Sequence, residues 1–277
     1  VGLQDAYLTY EIIVEGGLTR IMAIYKDVDT SVIGPIRSSR HYFLDYALES
    51  DAIYAHYGWS TYAENDIKAL GVDNINGLYD DAFYRDSSIA APHNVFTSIS
   101  TLRDKAKELG YSLTSNNYES LNFVSEAISL EEIDNNNNCV GDTCSLEGEE
   151  ASSISIPYSR GEVRSYTYDD VNKYYLRFMN NIPHTDRDSG EQYYYKNVII
   201  MKVNNETLDS SGRQDLDTVG NGEGYYATDG YIMPITWEKE TRSGKTSYYY
   251  SNGDKIEVNN GNTFIQVMPS NEDIVVN

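Results

Sequence analysis

Gly34-Pro35-Ile36-Arg37-Ser38-Ser39-Arg40 sets a loop directly against an expected helix start. The proline disfavours helix at the residue before it, Ser38 and Ser39 are good N-caps, and Phe43, Tyr46 and Ala47 follow at helical spacing. The spacing predicts a helix over 38–49. Unpaired backbone N–H groups at such an end carry partial positive charge, and Arg37 and Arg40 bracket it. The stretch is therefore expected to cradle a carboxylate or phosphate.

Upstream, 6–14 and 18–25 are rich in strand formers and are joined by Glu15-Gly16-Gly17, whose glycines accept the positive φ of a tight turn; a hairpin is expected. Downstream, 52–58 reads as a short buried strand. Thr61 and Glu64 have capping-box spacing before Ile67 and Leu70, with Gly71 as the stop, and 98–109 gives a third helix ending at Gly110. This alternation predicts an α/β layered domain over 1–125, with ligand groups gathered where strands end. Between 108 and 159 there is no Lys or Arg, and seven acids between 131 and 150 surround Asn135 to Asn138, so 126–157 is read as an interdomain connection. Over 158–277 strand patterns alternate with Asp229-Gly230, Asn252-Gly253 and Asn260-Gly261, which predicts a mostly antiparallel β domain. The expected class is thus α+β, an α/β part followed by a β part.

The 277 residues carry 43 acids against 21 bases, a net charge of −22 that argues against nucleic acid or an anionic membrane surface as partner. Twenty-six tyrosines against six phenylalanines suit half-exposed sheets and polar recognition surfaces. No apolar run reaches the roughly 18 residues of a membrane helix. Val1 enters a strand-like pattern at once, so an export signal is expected upstream. Cys139 and Cys144, around a Gly-Asp turn, are expected to form a surface disulfide, which implies an oxidising location. A zinc pair is disfavoured because no second pair or nearby His accompanies them.

Several motifs together resemble the YerB-like bacterial lipoproteins, a family of unknown biochemical function. They are Val14-Glu15-Gly16-Gly17-Leu18-Thr19-Arg20, the 34–40 stretch, Phe83-Tyr84-Arg85-Asp86 and Ala91-Pro92-His93-Asn94. Later come Gly220-Asn221-Gly222, Trp237-Glu238-Lys239 and Gly261-Asn262-Thr263-Phe264-Ile265. The resemblance implies a lipid-anchored protein on the outer face of the cytoplasmic membrane, with an N-terminal α/β part and a C-terminal β part. It supplies no catalyst.

The expected ligand-binding residues are Arg20, Arg37, Ser38, Ser39, Arg40, His56, Arg85, His93 and Asn94. Guanidinium forks bind carboxylate or phosphate at two points; the competing reading pairs each arginine with a local acid such as Glu15, Asp45 or Asp86. His56 at a strand end and His93 on a rigid Pro92 corner are the candidate bases if the protein is an enzyme. His41 and His184 rank below them. No nucleophile elbow, zinc motif or catalytic Cys-His spacing is present, which leans against an enzyme. Gly220 to Gly224 reads as turns rather than a nucleotide loop, and Asp186 to Gly190 as a hairpin turn rather than a calcium loop. No cofactor or metal is expected. The favoured function is binding a polar or anionic small molecule or envelope polymer; the alternatives are a hydrolase or transferase acting on such a polymer, and a structural interaction module.

Overall fold

A computed structural model describes residues 1–115, 121–134 and 145–277. Cys139 and Cys144, and the disulfide expected of them, lie outside the described residues.

The expected hairpin forms. Strands β1 (Leu8–Ile13) and β2 (Thr19–Ile24) pair antiparallel, and Gly16 and Gly17 both take φ of 72° in the turn. Helix α1 (Phe43–Glu49) follows, then β3 (Tyr54–His56), helix α2 (Thr61–Leu70), β4 (Asn74–Asn76), the short pair β5 (Tyr84–Arg85) and β6 (Val95–Phe96), and helix α3 (Ile99–Glu108). Gly71 closes α2 with φ of 65°, and Gly110 follows α3 with φ of 79°. Ser60, not Thr61, caps α2: its Oγ accepts from the Ala63 N–H at 3.2 Å. These elements do not build one layered parallel sheet, because β3 pairs only with β4 and β5 only with β6 among the described residues.

The larger sheet runs Glu149–Glu150, Tyr231–Lys239, Gly220–Thr228, Asn197–Val203, Thr263–Pro269, β1, β2, with Ser247–Tyr249 beside Tyr231–Lys239. Strand Thr263–Pro269 is parallel to both β1 and Asn197–Val203, so the two halves of the sequence share one sheet. All six residues of β1 are buried. Tyr10 faces α1, stacking on Tyr46 at 4.5 Å and donating to Glu49 Oε1 at 2.7 Å. Glu11 faces the second sheet, whose order is Ile182–Pro183, Tyr174–Met179, Glu162–Asp169, Ser153–Ser159, Val275–Val276, with Tyr194–Tyr195 beside Tyr174–Met179. At β1, α1 and the small sheet thus lie on opposite faces of the large sheet. Tyr158, Tyr166, Tyr175, Tyr195 and Phe264 fill the space between the sheets.

Three expectations change. Strand Tyr231–Lys239, absent from the sequence reading, pairs with the full length of Gly220–Thr228. Its Pro234 falls between the residues paired with Glu149–Glu150 and those paired with Ser247–Tyr249, where a missing N–H is tolerated. Gly220 to Gly224 lies inside a strand rather than in turns. There Gly222 abuts the Trp237 indole, and a Cβ on Gly224 would stand 2.1 Å from the Ile200 carbonyl oxygen. The acidic connection is anchored at both ends, with Leu130 and Ala151 fully buried.

Candidate functional site

The 34–40 stretch is extended. The Ile36 N–H donates to the Val95 carbonyl at 2.8 Å, the Tyr57 N–H to Arg37 at 3.0 Å, the Ser39 N–H to Gly58 at 2.9 Å and the Ser60 N–H to Ser39 at 3.1 Å. It therefore lies between β6 and 57–60, bridged in parallel to Trp59 at Ser39, and α1 starts only at Phe43, without a side-chain cap. The cradle expected from a helix N-terminus is not formed, because these backbone groups are used in cross-strand pairing. Ser38 donates its hydroxyl to the Tyr57 carbonyl at 3.0 Å, and Ser39 is buried, so neither serine caps a helix.

The arginines do gather. Arg20 from β2 and Arg40 both donate to the Ser38 carbonyl, and Arg40 also reaches the Ser39 carbonyl at 2.8 Å. Arg40 forks onto Glu15, Nε to Oε1 at 2.6 Å and Nη2 to Oε2 at 2.8 Å, which is the local pairing weighed against ligand binding. Burial, reinforced by Arg40 and Arg37 and partly offset by Glu15, pulls the Arg20 guanidinium down to about 10. A positive group is thus held among positive neighbours, an arrangement an anion would relieve.

Arg37 donates to the Pro92 carbonyl at 2.7 Å, across from the Ala91-Pro92-His93-Asn94 corner. Arg85 donates to Asn94 Oδ1 at 2.8 Å and lies 4.9 Å over the Tyr57 ring. It does not pair with Asp86, which accepts instead from Ser88 and Arg187. His93 is exposed beside these groups. His56 is buried, its Nδ1 2.8 Å from the Gly58 carbonyl and its Nε2 3.1 Å from Asn74 Oδ1, and burial lowers its pKa. It sits in a run of rings, Tyr54 at 5.1 Å on one side and Trp59 at 5.6 Å on the other.

Two features escaped the sequence reading. A cleft of about 710 Å³ opens at the carboxyl ends of the parallel strands β1, Asn197–Val203 and Thr263–Pro269, a usual position for ligands, and none of the nine expected residues lines it. Asn204, Glu206, Asp217, Asn271, Glu272 and Arg160 surround it. The second is a wholly buried ionic cluster between the sheets. Glu11 accepts from Arg164 Nε at 2.6 Å, from Arg177 Nη2 and from Thr19 Oγ1 at 2.5 Å, and Arg177 also meets His184 Nδ1. The one signal for it was an acid inside a run of strand formers, Tyr10-Glu11-Ile12-Ile13. Among the described residues no group of three or more His, Cys, Asp or Glu is arranged to hold a metal ion, and no helix is long and apolar enough to cross a membrane.

Residues 1–112 match the N-terminal domain, and residues 154–265 the C-terminal domain, of DUF3048, a protein family of unknown function. Over 243 residues the chain is 27% identical to YerB of Bacillus subtilis (strain 168), a protein that bears the name lipoprotein; the match covers 86% of this chain and 68% of that one. The crystal structure of YerB from B. subtilis matches 100% of this chain and 88% of its own at a TM-score of 0.84 and 25% identity. With both domains matched in order and the fold shared along its whole length, the chain belongs to the YerB-like DUF3048 family.

Proposed function

We propose that this protein is a membrane-anchored lipoprotein of the bacterial cell envelope whose folded part binds an anionic ligand at Arg20, Arg37 and Arg85, beside Asn94 and His93. The lipoprotein reading rests on the name of its B. subtilis relative. The anion reading rests on one observation. Among the described residues, none of the ion pairs within 4.0 Å includes Arg20, Arg37 or Arg85, although acids outnumber bases 43 to 21. All three donate to neutral oxygens instead, of Ser38, Pro92 and Asn94. Two acids nearby are occupied: Glu15 by Arg40, and Asp86 by Ser88 and Arg187. Guanidinium groups left without carboxylates can take up the oxygens of a phosphate or carboxylate.

Thermal unfolding in rising phosphate and citrate, at constant ionic strength set with chloride, tests the reading. The midpoint should rise for the wild-type protein and rise less for Arg20→Gln and Arg37→Gln, because a ligand that binds only the folded state stabilises it by mass action. An equal rise in all three proteins rules the arginines out.

A further inference from the structure

We propose that the anion site continues onto an aromatic platform made by Trp59 and Tyr79, so that the ligand is an anionic oligosaccharide. This rests on the anion reading of Arg20, Arg37 and Arg85 and names the chemistry of the rest of the ligand. Tyr79 is 75% exposed and Leu78 53% exposed, the first being extreme for an aromatic ring in a folded chain with a large core. The Tyr79 ring lies 5.8 Å from the half-buried Trp59 ring. Trp59 is backed by His56, and His56 by Tyr54, which packs against the core, so the platform has rigid support.

The platform adjoins the arginines through Gly58. At the position a Cβ would take on that glycine, Ser38 Oγ lies 3.2 Å away and Leu78 Cδ1 3.7 Å away. A single missing side chain therefore separates Leu78, next to Tyr79, from Ser38, whose carbonyl receives Arg20 and Arg40. On the same surface Tyr57 carries Arg85 over its ring at 4.9 Å and hydrogen-bonds the Arg37 carbonyl through its backbone N–H. The hydroxyl groups of Tyr57 and Tyr79 have no hydrogen-bond partner among the described residues.

Flat aromatic faces, free hydroxyls at their edges and guanidinium groups alongside meet the three parts of a charged sugar: its C–H face, its hydroxyls and its carboxylate or phosphate. A single-stranded nucleic acid would use the same groups, but a chain of net charge −22 repels it. An acidic peptide satisfies the arginines yet has no ring face for Trp59 and Tyr79, so it is made an outcome of the test.

Calorimetric titration of the wild-type protein, Tyr79→Ala and Arg20→Gln with trigalacturonate, maltotriose, citrate and hexaglutamate decides the matter. The expected result is that trigalacturonate binds the wild type more tightly than citrate. Tyr79→Ala should lose roughly tenfold of the trigalacturonate affinity while keeping its citrate affinity, and Arg20→Gln should weaken both. Because Tyr79 is exposed, its removal leaves the fold intact, which an unchanged melting temperature confirms. Trigalacturonate no tighter than citrate, or hexaglutamate as tight as trigalacturonate, overturns the sugar proposal and leaves the anion site standing. If no anion binds, both fall; if maltotriose matches trigalacturonate, the arginines play no part in sugar binding and the proposal also falls.

Discussion

Arg177 and Glu11, 166 positions apart, form an ion pair in which neither side chain has any exposure, one group coming from each sheet. Arg164 adds a second guanidinium to the same carboxylate. Removing that carboxylate leaves Arg177 buried without a counter-charge beside Arg164, which keeps Glu162 at 2.5 Å, so Glu11→Gln should destabilise the protein by about 3–5 kcal/mol. Urea unfolding followed by tyrosine and tryptophan fluorescence measures it. A loss below about 1 kcal/mol, the range of exposed pairs, would mean that water reaches the cluster.

The same cluster sets a pH dependence. Burial works to raise the Glu11 pKa, but Arg177, Arg164 and Thr19 outweigh it and hold the carboxyl at about 2, against 4.5 ordinarily. Its contribution is complete above 4.5 and is lost as pH falls toward 2. Burial and Arg177 push His184 down to about 3 from 6.5, so below 6.5 the unfolded chain takes up this proton before the folded one does. Both groups act in one direction. The urea midpoint should decline as pH is lowered from 6.5, more steeply below 4.5, and His184→Gln should flatten the decline from 6.5 to 4.5 and leave only the Glu11 part below 4.5. A midpoint that is constant from pH 6.5 to 4.5 contradicts the placement of His184.

Gly224 is required by close approach of two backbones. A Cβ there would stand 2.1 Å from the Ile200 oxygen, an atom held by the ladder between Asn197–Val203 and Gly220–Thr228. Gly224→Val should cost about 1–3 kcal/mol or more through forced strand separation. Gly161→Ala, with nothing within 4 Å, should change stability little. Chemical denaturation of the pair distinguishes steric demand from a general aversion to replacing glycine.

Capping separates two adjacent residues at α2. Ser60→Ala removes the acceptor of the Ala63 N–H and should cost about 1 kcal/mol. Thr61→Ala should cost less, since Thr61 is the first residue of the helix and not its cap. Equal losses would move the cap.

The local vocabulary of the chain was readable. Glycine pairs, caps and alternation located the first hairpin, α2, α3 and most later strands, because each depends on neighbours in sequence. The extended path of 34–40 was not readable, since the partners that hold it, Val95, Tyr57 and Gly58, lie well downstream and outweigh the capping preference of Ser38 and Ser39. Strand Tyr231–Lys239 was hidden by its proline, and the parallel pairing of Thr263–Pro269 with β1 has no local signal. At the candidate site the arginines were visible as residue types. The partition between Arg40, which has an acid, and Arg20, Arg37 and Arg85, which have none, needed three dimensions.

Strand Thr263–Pro269 lies between β1 and Asn197–Val203. The strands it joins are remote from one another in sequence, so their pairing has to close long loops. Until Thr263–Pro269 docks, the β1–β2 hairpin has an open edge, and the unfolded chain should remain a substrate for chaperones. Folding is therefore governed by the docking of this one strand, and a polypeptide truncated before Thr263 should be degraded by proteases that leave the 277-residue chain intact.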